Sequence, residues 1–157
     1  MDAKGRVSLP ASFRSTIERR FRAAGTQRSE ADQKMILVGE HERFRCLEAF
    51  DPTYLPTFSA ALARRIAQQE GIDEMAALED AEAEGLQTKE WVKFDDAGRM
   101  VLSADLRDIA GITDYAWFGA AGGRFQIWNP ATCREQQADK PRIVNVLERA
   151  MRDRGLL

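Results

Sequence analysis

Apolar residues recur at every second position in some short runs and at every third or fourth position in longer ones, which divides the chain between strands and helices. Phe13, Ile17 and Phe21 stand four residues apart, with Pro10 suited to a first helical turn and Gly25 to a stop. They predict a helix over residues 10–24 whose other face is arginine. The polar run TQRSEADQK predicts a loop, and MILVG and FRCLEAF predict two strands joined by a tight turn across HER. Farther along, EWVKF and RMVL predict strands on either side of a turn over DDAG, followed by a short helix capped by Ser103 and ending near Ala110. YAWFG and RFQIW make a second hairpin around AAGG, with Phe125 and Ile127 on one face and Arg124, Gln126 and Trp128 on the other. Residues 53–86 predict two helices broken at Gly71, the first with a Phe58, Leu62, Ile66 stripe and the second acidic. Ile143, Leu147, Ala150 and Met151 put a last amphipathic helix over 141–154.

Two stretches of this pattern are nearly the same words. DAKGRVSLPASFR, from Asp2, and DDAGRMVLSADLR, from Asp95, align without a gap and share six of thirteen positions. The shared pairs are Asp2 and Asp95, Gly5 and Gly98, Arg6 and Arg99, Leu9 and Leu102, Ala11 and Ala104, and Arg14 and Arg107. Both halves follow a β-turn-β-α-β-turn-β plan, an internal repeat of a small β-rich unit, so the expected fold class is α+β. The strand that leads into the second turn has no counterpart before the first, where only Met1 stands. That leaves two expectations: a natural start roughly ten residues upstream, or a sheet edge open to another chain.

Composition adds boundaries. The chain has 157 residues, 44% of them hydrophobic, with no apolar run of membrane-spanning length and no apolar segment after the charged N-terminus, so the reading is cytoplasmic. Cys46 and Cys133 stand apart with no C-x-x-C spacing and read as a reduced pair without a metal. A net charge of −2 hides segregation: residues 1–28 carry seven basic side chains against two acidic ones, and residues 70–90 carry eight acids against one base. The two regions should face different things. An enzyme needs a convergent set of acid, base or nucleophile, and the sequence offers one histidine, His41, read as exposed and inert in a turn. GAAGG lacks phosphate-loop spacing and reads as a hairpin loop. Trp91, Trp117 and Trp128 read as packing anchors, and no cofactor is expected.

At the paired Asp-x-x-Gly-Arg segments, and at WFGAAGGRFQIWNP after the second, the sequence resembles the MraZ family of bacterial transcriptional regulators, built from two tandem AbrB-like domains. The resemblance extends over essentially the whole chain. It implies a double swapped-hairpin β-barrel formed by the two repeats, with peripheral helices. The first repeat would span residues 1–52, a helical connector 53–87, the second repeat 88–134 and a C-terminal helix 135–157. It also implies a ring-like homo-oligomer, a nucleoid-associated repressor of the cell-division and cell-wall gene cluster, and double-stranded DNA with G-rich direct repeats upstream of its own operon as the partner. The family's Asp-x-x-x-Arg pattern falls on Asp2 with Arg6 and on Asp95 with Arg99. Lys4 is replaced by Ala97 in the second copy and Pro10 by Ser103, so that copy is expected to grip phosphate more weakly. The alternative is an AbrB-like antitoxin or protein-binding module acting mainly through a protein partner. The second repeat and the C-terminal helix argue against it.

The residue types suit DNA. Guanine presents O6 and N7 side by side in the major groove, and a guanidinium fork matches them, which makes Arg6 and Arg99 the candidate readers. Gly5 and Gly98 before them permit a positive φ and close approach. Asp2 and Asp95 close the turns through backbone N–H groups. Lys4 and Arg14 are candidate phosphate contacts, which position without reading sequence. Against this stands the plainer reading of surface arginines at hairpin turns, and for Arg19, Arg20, Arg22 and the acidic helix that of solvated faces.

Overall fold

The computed structural model describes residues 1–2, 4–25 and 32–157. The protein is α+β with antiparallel strands. Strand β1 (Arg6–Ser8) leads through Leu9 and Pro10 into helix α1 (Ala11–Ala23), which buries Ile17 and Phe21 as the four-residue spacing requires. Most of the predicted polar loop, residues 26–31, lies outside the described residues; 32–34 form one 3-10 turn. Strands β2 (Met35–Glu40) and β3 (Leu47–Phe50) form the first hairpin, and β6 (Trp117–Ala121) and β7 (Arg124–Trp128) the second. Between them lie helices α2 (Leu55–Ile66) and α3 (Glu74–Gln87), strands β4 (Lys89–Lys93) and β5 (Arg99–Val101), and helix α4 (Ala104–Ala110), capped by Ser103 through its Leu106 N–H. Helices α5 (Pro130–Gln136) and α6 (Pro141–Arg152) close the chain.

Strands pair across the repeats more than within them. β1 pairs with β5, β2 with β4 and β3 with β7, giving a two-stranded ribbon and a five-stranded sheet of order β4-β2-β3-β7-β6. The halves thus share their hydrogen bonding through β1–β5, β2–β4 and β3–β7, and their apolar faces meet in one core. One face of the sheet, with Ile36, Val38, Leu47, Ala49, Phe125 and Ile127, packs on the ribbon, α1 and α4 through Leu9, Leu102 and Leu106. The other face is covered in two parts. Phe58 of α2 stacks on Phe50 at 5.5 Å between ring centroids, above the β2–β3 hairpin. Ile143, Leu147 and Met151 of α6 pack with Trp128 and Cys133.

Ion pairs add to this packing. Glu48 is buried and meets Lys89 at 3.4 Å and Arg124. Asp51, 1% exposed, accepts from Arg20 at 2.8 Å, and the same Arg20 nitrogen donates to Gly123 O at 2.8 Å. Arg20 is therefore a tie between α1 and the second hairpin rather than part of a solvated face.

Three other expectations are corrected. Trp91 is not a packing anchor: it stands 54% exposed on β4, while Trp128 is fully buried. His41 is half-buried, and its Nδ1 accepts from Arg43 N at 3.1 Å and Phe44 N at 3.3 Å, so the neutral ring organises the turn after β2. Burial holds its pKa below the ordinary value, consistent with that acceptor role. Helix α5 was not expected, although Asn129 and Pro130 supply an N-cap and a first-turn proline. Among the described residues no helix is long and apolar enough to cross a membrane.

Candidate nucleic-acid interface

The two repeated segments meet face to face. In the β1–β5 ribbon Arg6 lies opposite Val101, Val7 opposite Met100 and Ser8 opposite Arg99. Val7 and Met100 point into the core, so Arg6, Ser8, Arg99 and Val101 share the exposed face. Arg6 and Arg99 are diagonal neighbours on it, about 7–8 Å apart at the backbone.

Each arginine is held by its own turn. Asp2 accepts from Lys4 N and Arg6 N through Oδ1, both at 3.0 Å, and Arg6 Nε donates to its Oδ2. Asp95 accepts from Arg99 N at 2.8 Å and from Arg99 Nε at 2.7 Å. Both arginine side chains remain mostly exposed, 61% and 72%, with the aspartate engaging only Nε. The outer edge of each fork, its two terminal nitrogens, is directed away from that carboxylate and is available to a pair of acceptors.

The carboxylates respond to this arrangement. The Arg6 backbone and side-chain hydrogen bonds hold Asp2 below its ordinary pKa of 3.8, and the Arg99 side-chain and backbone bonds do the same for Asp95. Their hold on the turns is complete above the ordinary carboxylate range and is lost as the pH falls through the depressed values. NMR titration of the two carboxyl carbons is expected to give midpoints below 3.8, with Arg6→Ala raising that of Asp2 alone, and only part of the way because the backbone bond remains. Ordinary midpoints in the intact protein would contradict the geometry.

Behind the arginines the turns lock together. Gly5 and Gly98 have φ of 74° and 80°. Gly5 O accepts from Leu102 N at 3.0 Å and Gly98 O from Leu9 N at 2.8 Å, so each turn is bonded to the segment following the other. Arg14 has a different task from the phosphate contact expected of it. Its Nη1 donates to Leu9 O at 2.9 Å and to Ala97 O at 2.7 Å, turning the side chain inward as a brace under the opposite turn. Arg107 occupies the matching place over Gly5. Their shared position in the repeat was the signal for this role. Lys4 is exposed beside Arg6, while Ala97 leaves the second turn without a cation there. Sequence reasoning missed Ser8 and the 53% exposed Val101, which only the alternation in RVS and RMV could have placed beside the arginines.

Two copies of one turn sequence, paired through β1 and β5 with their arginines on one face, form a single composite surface. No family model matches the chain. It is, however, 32% identical over 139 residues to the transcriptional regulator MraZ of Gluconacetobacter diazotrophicus, covering 88% of this chain and 79% of that protein. It is 34% identical over 151 residues to the transcriptional regulator MraZ of Ruegeria pomeroyi, covering 87% and 77% respectively. The chain belongs to the MraZ family.

Proposed function

We propose that the protein is a sequence-specific DNA-binding transcriptional regulator that reads guanine with Arg6 and Arg99. The observation that carries this is the exposed face of the β1–β5 ribbon, where both arginines stand with one edge fixed by aspartate and the other free. A major groove admits a two-stranded ribbon, and a fork fixed in advance loses little freedom on meeting guanine O6 and N7. The backbone spacing of about 7–8 Å matches two base-pair steps of about 3.4 Å, so the pair suits a G-rich run rather than an isolated base. Lys4 supplies a phosphate contact next to the first reader. Val101 adds an apolar surface of the kind that meets a thymine methyl group. The names of the relatives, transcriptional regulators, support the same reading.

In its fuller form the proposal has two AbrB-like repeats, over 1–52 and 88–134, forming a swapped-hairpin barrel, with a connector over 53–87 and a terminal helix after 134. Subunits assemble in a ring that sets several ribbons against direct repeats upstream of the protein's own cell-division and cell-wall operon, which it represses in the cytoplasm. One ribbon is a small module, and copies held at the spacing of the DNA repeats gain about 10²–10⁴ in avidity.

The test is a titration of a fluorescent duplex carrying tandem TGGG repeats, and of its scrambled counterpart, at two salt concentrations. Tighter binding to the repeats, with both affinities falling as salt rises, is the expected result. Equal affinity for the two duplexes would remove the sequence-reading role.

A further inference from the structure

The backbone of the β1–β5 ribbon has a twofold axis. Val7 faces Met100, its own counterpart in the repeat, and Arg6 and Ser8 are related across the same axis to Arg99 and Val101. The supports behind the ribbon obey it too. Gly5 O accepts from Leu102 N as Gly98 O accepts from Leu9 N, and Arg107 stands at Gly5 as Arg14 stands at Gly98. A twofold surface fits a palindromic duplex and takes both orientations on it alike. The outward side chains, however, do not follow the backbone.

They depart from it in one consistent sense. Directly opposite Arg6 lies Val101, 53% exposed, and Lys4 is exposed in the same turn. Directly opposite Arg99 lies Ser8, and Ala97 stands where the first turn has Lys4. Asp96, at a position that is Ala3 in the first copy, is paired with Lys34 at 2.5 Å. Asp2, Lys4 and Arg6 thus leave the first turn with one positive charge, whereas Asp95 and Asp96 balance Arg99 and Lys34 at the second. One end of the ribbon offers a cation and an apolar surface beside its arginine, the other a hydroxyl and a neutral pair.

We propose that this asymmetry makes the ribbon a directional reader of duplex DNA, with Lys4 and Val101 setting the orientation. The proposal rests on the reading of guanine by Arg6 and Arg99. The Arg6 end sits over a guanine with a thymine beside it, Val101 against the thymine methyl group and Lys4 on a phosphate. The Arg99 end sits over a second guanine whose neighbour is left open, because a serine hydroxyl bonds donors and acceptors alike. The reverse orientation would place Val101 away from the methyl group and Ala97 where the phosphate contact is made. The target therefore needs no palindrome, and each site is occupied in one sense.

The test uses the whole chain with Ser12→Cys as the attachment point for an iron–EDTA label. Ser12 is exposed and lies between Leu9 and Arg14, which are bonded to Gly98 and Ala97, so the label marks the Arg99 end. Cys46 and Cys133 are buried and do not compete for it. On a duplex with a single TGGG repeat, strand cleavage is expected to be about fivefold stronger on one side of the repeat than on the other. Combining Lys4→Ala, Ser8→Val, Ala97→Lys and Val101→Ser, all at exposed positions, is expected to move the stronger cleavage to the opposite side. Replacing the thymine by uracil, which lacks only the methyl group, is expected to weaken binding of the intact protein about threefold and to leave binding by Val101→Ser unchanged. Equal cleavage on both sides of the repeat overturns the proposal while guanine reading stands. A pattern that the four exchanges do not move overturns it as well, as does a uracil duplex that the intact protein binds unchanged or that both proteins bind equally less well. Cleavage spread along the duplex without regard to the repeat removes guanine reading itself, and the directional proposal with it.

Discussion

Alanine in place of Gly98 is expected to destabilise the protein by about 2–4 kcal/mol, lowering its melting temperature by roughly 5–15 °C. The φ of 80° puts any L side chain in the left-handed region, and a Cβ there would stand 2.5 Å from Leu9 O and press on the Arg14 guanidinium. Neither neighbour can yield cheaply. Leu9 is fully buried and its N–H is the one bonded to Gly98 O, while Arg14 is held by two carbonyls. The same change at Gly5 meets Leu102 O at 2.5 Å and Arg107 Nε at 3.0 Å, so a cost of similar size is expected. Because each turn braces the segment after the other, the double substitution should cost less than the sum of the two. Thermal or urea unfolding of the three variants measures this directly, and a Gly98→Ala protein as stable as the parent would show that the interlock is not what holds the turns.

The second large effect concerns recognition. Arg6→Ala is expected to lose about 1–3 kcal/mol of preference for guanine-containing over scrambled duplex, a factor of roughly 5–150, while the fold is retained because Arg6 is mostly exposed. Lys4→Ala should behave otherwise. It weakens binding to every duplex alike and reduces the slope of log affinity against log salt by about 0.9, the mark of one phosphate contact. Arg14→Ala should reduce both affinity and stability, since it supports the turn from behind. Titrations of the three variants against two duplexes at several salt concentrations separate reader, anchor and brace. If Arg6→Ala and Lys4→Ala give the same profile, the assignment of roles is wrong.

Much of this was legible in the sequence because it is local. The four-residue spacing of Phe13, Ile17 and Phe21 requires a helix, Ser103 caps one, and a glycine before each arginine requires a particular turn. The repeat itself pointed to a duplicated surface. What escaped depends on contacts between distant segments. Nothing near Arg14 reveals that Ala97, eighty-three residues away, will present a carbonyl to it. Trp91 sits in an alternating strand like any anchor, but its face of β4 is left uncovered. Arg20 reads as one more cation on a basic helix until Asp51 and Gly123 arrive beside it. Val101 looks like core by type, and only the register Arg6 to Val101 puts it on the surface with the two arginines. Side-chain chemistry was thus readable at the turns, whereas the direction each side chain takes is decided by the pairing of distant strands, β1 with β5, β2 with β4 and β3 with β7.

In the proposed function, guanidinium groups fixed at one edge read guanine with the other. Replacing guanines of the repeat duplex by 7-deazaguanine removes the N7 acceptor and leaves O6 and the base pairing in place. Binding of the intact protein is expected to fall about fivefold or more. Binding of the Arg6→Ala, Arg99→Ala double variant, weaker from the start, should not change. If both proteins lose affinity equally, or neither does, the arginines of the ribbon are not reading guanine.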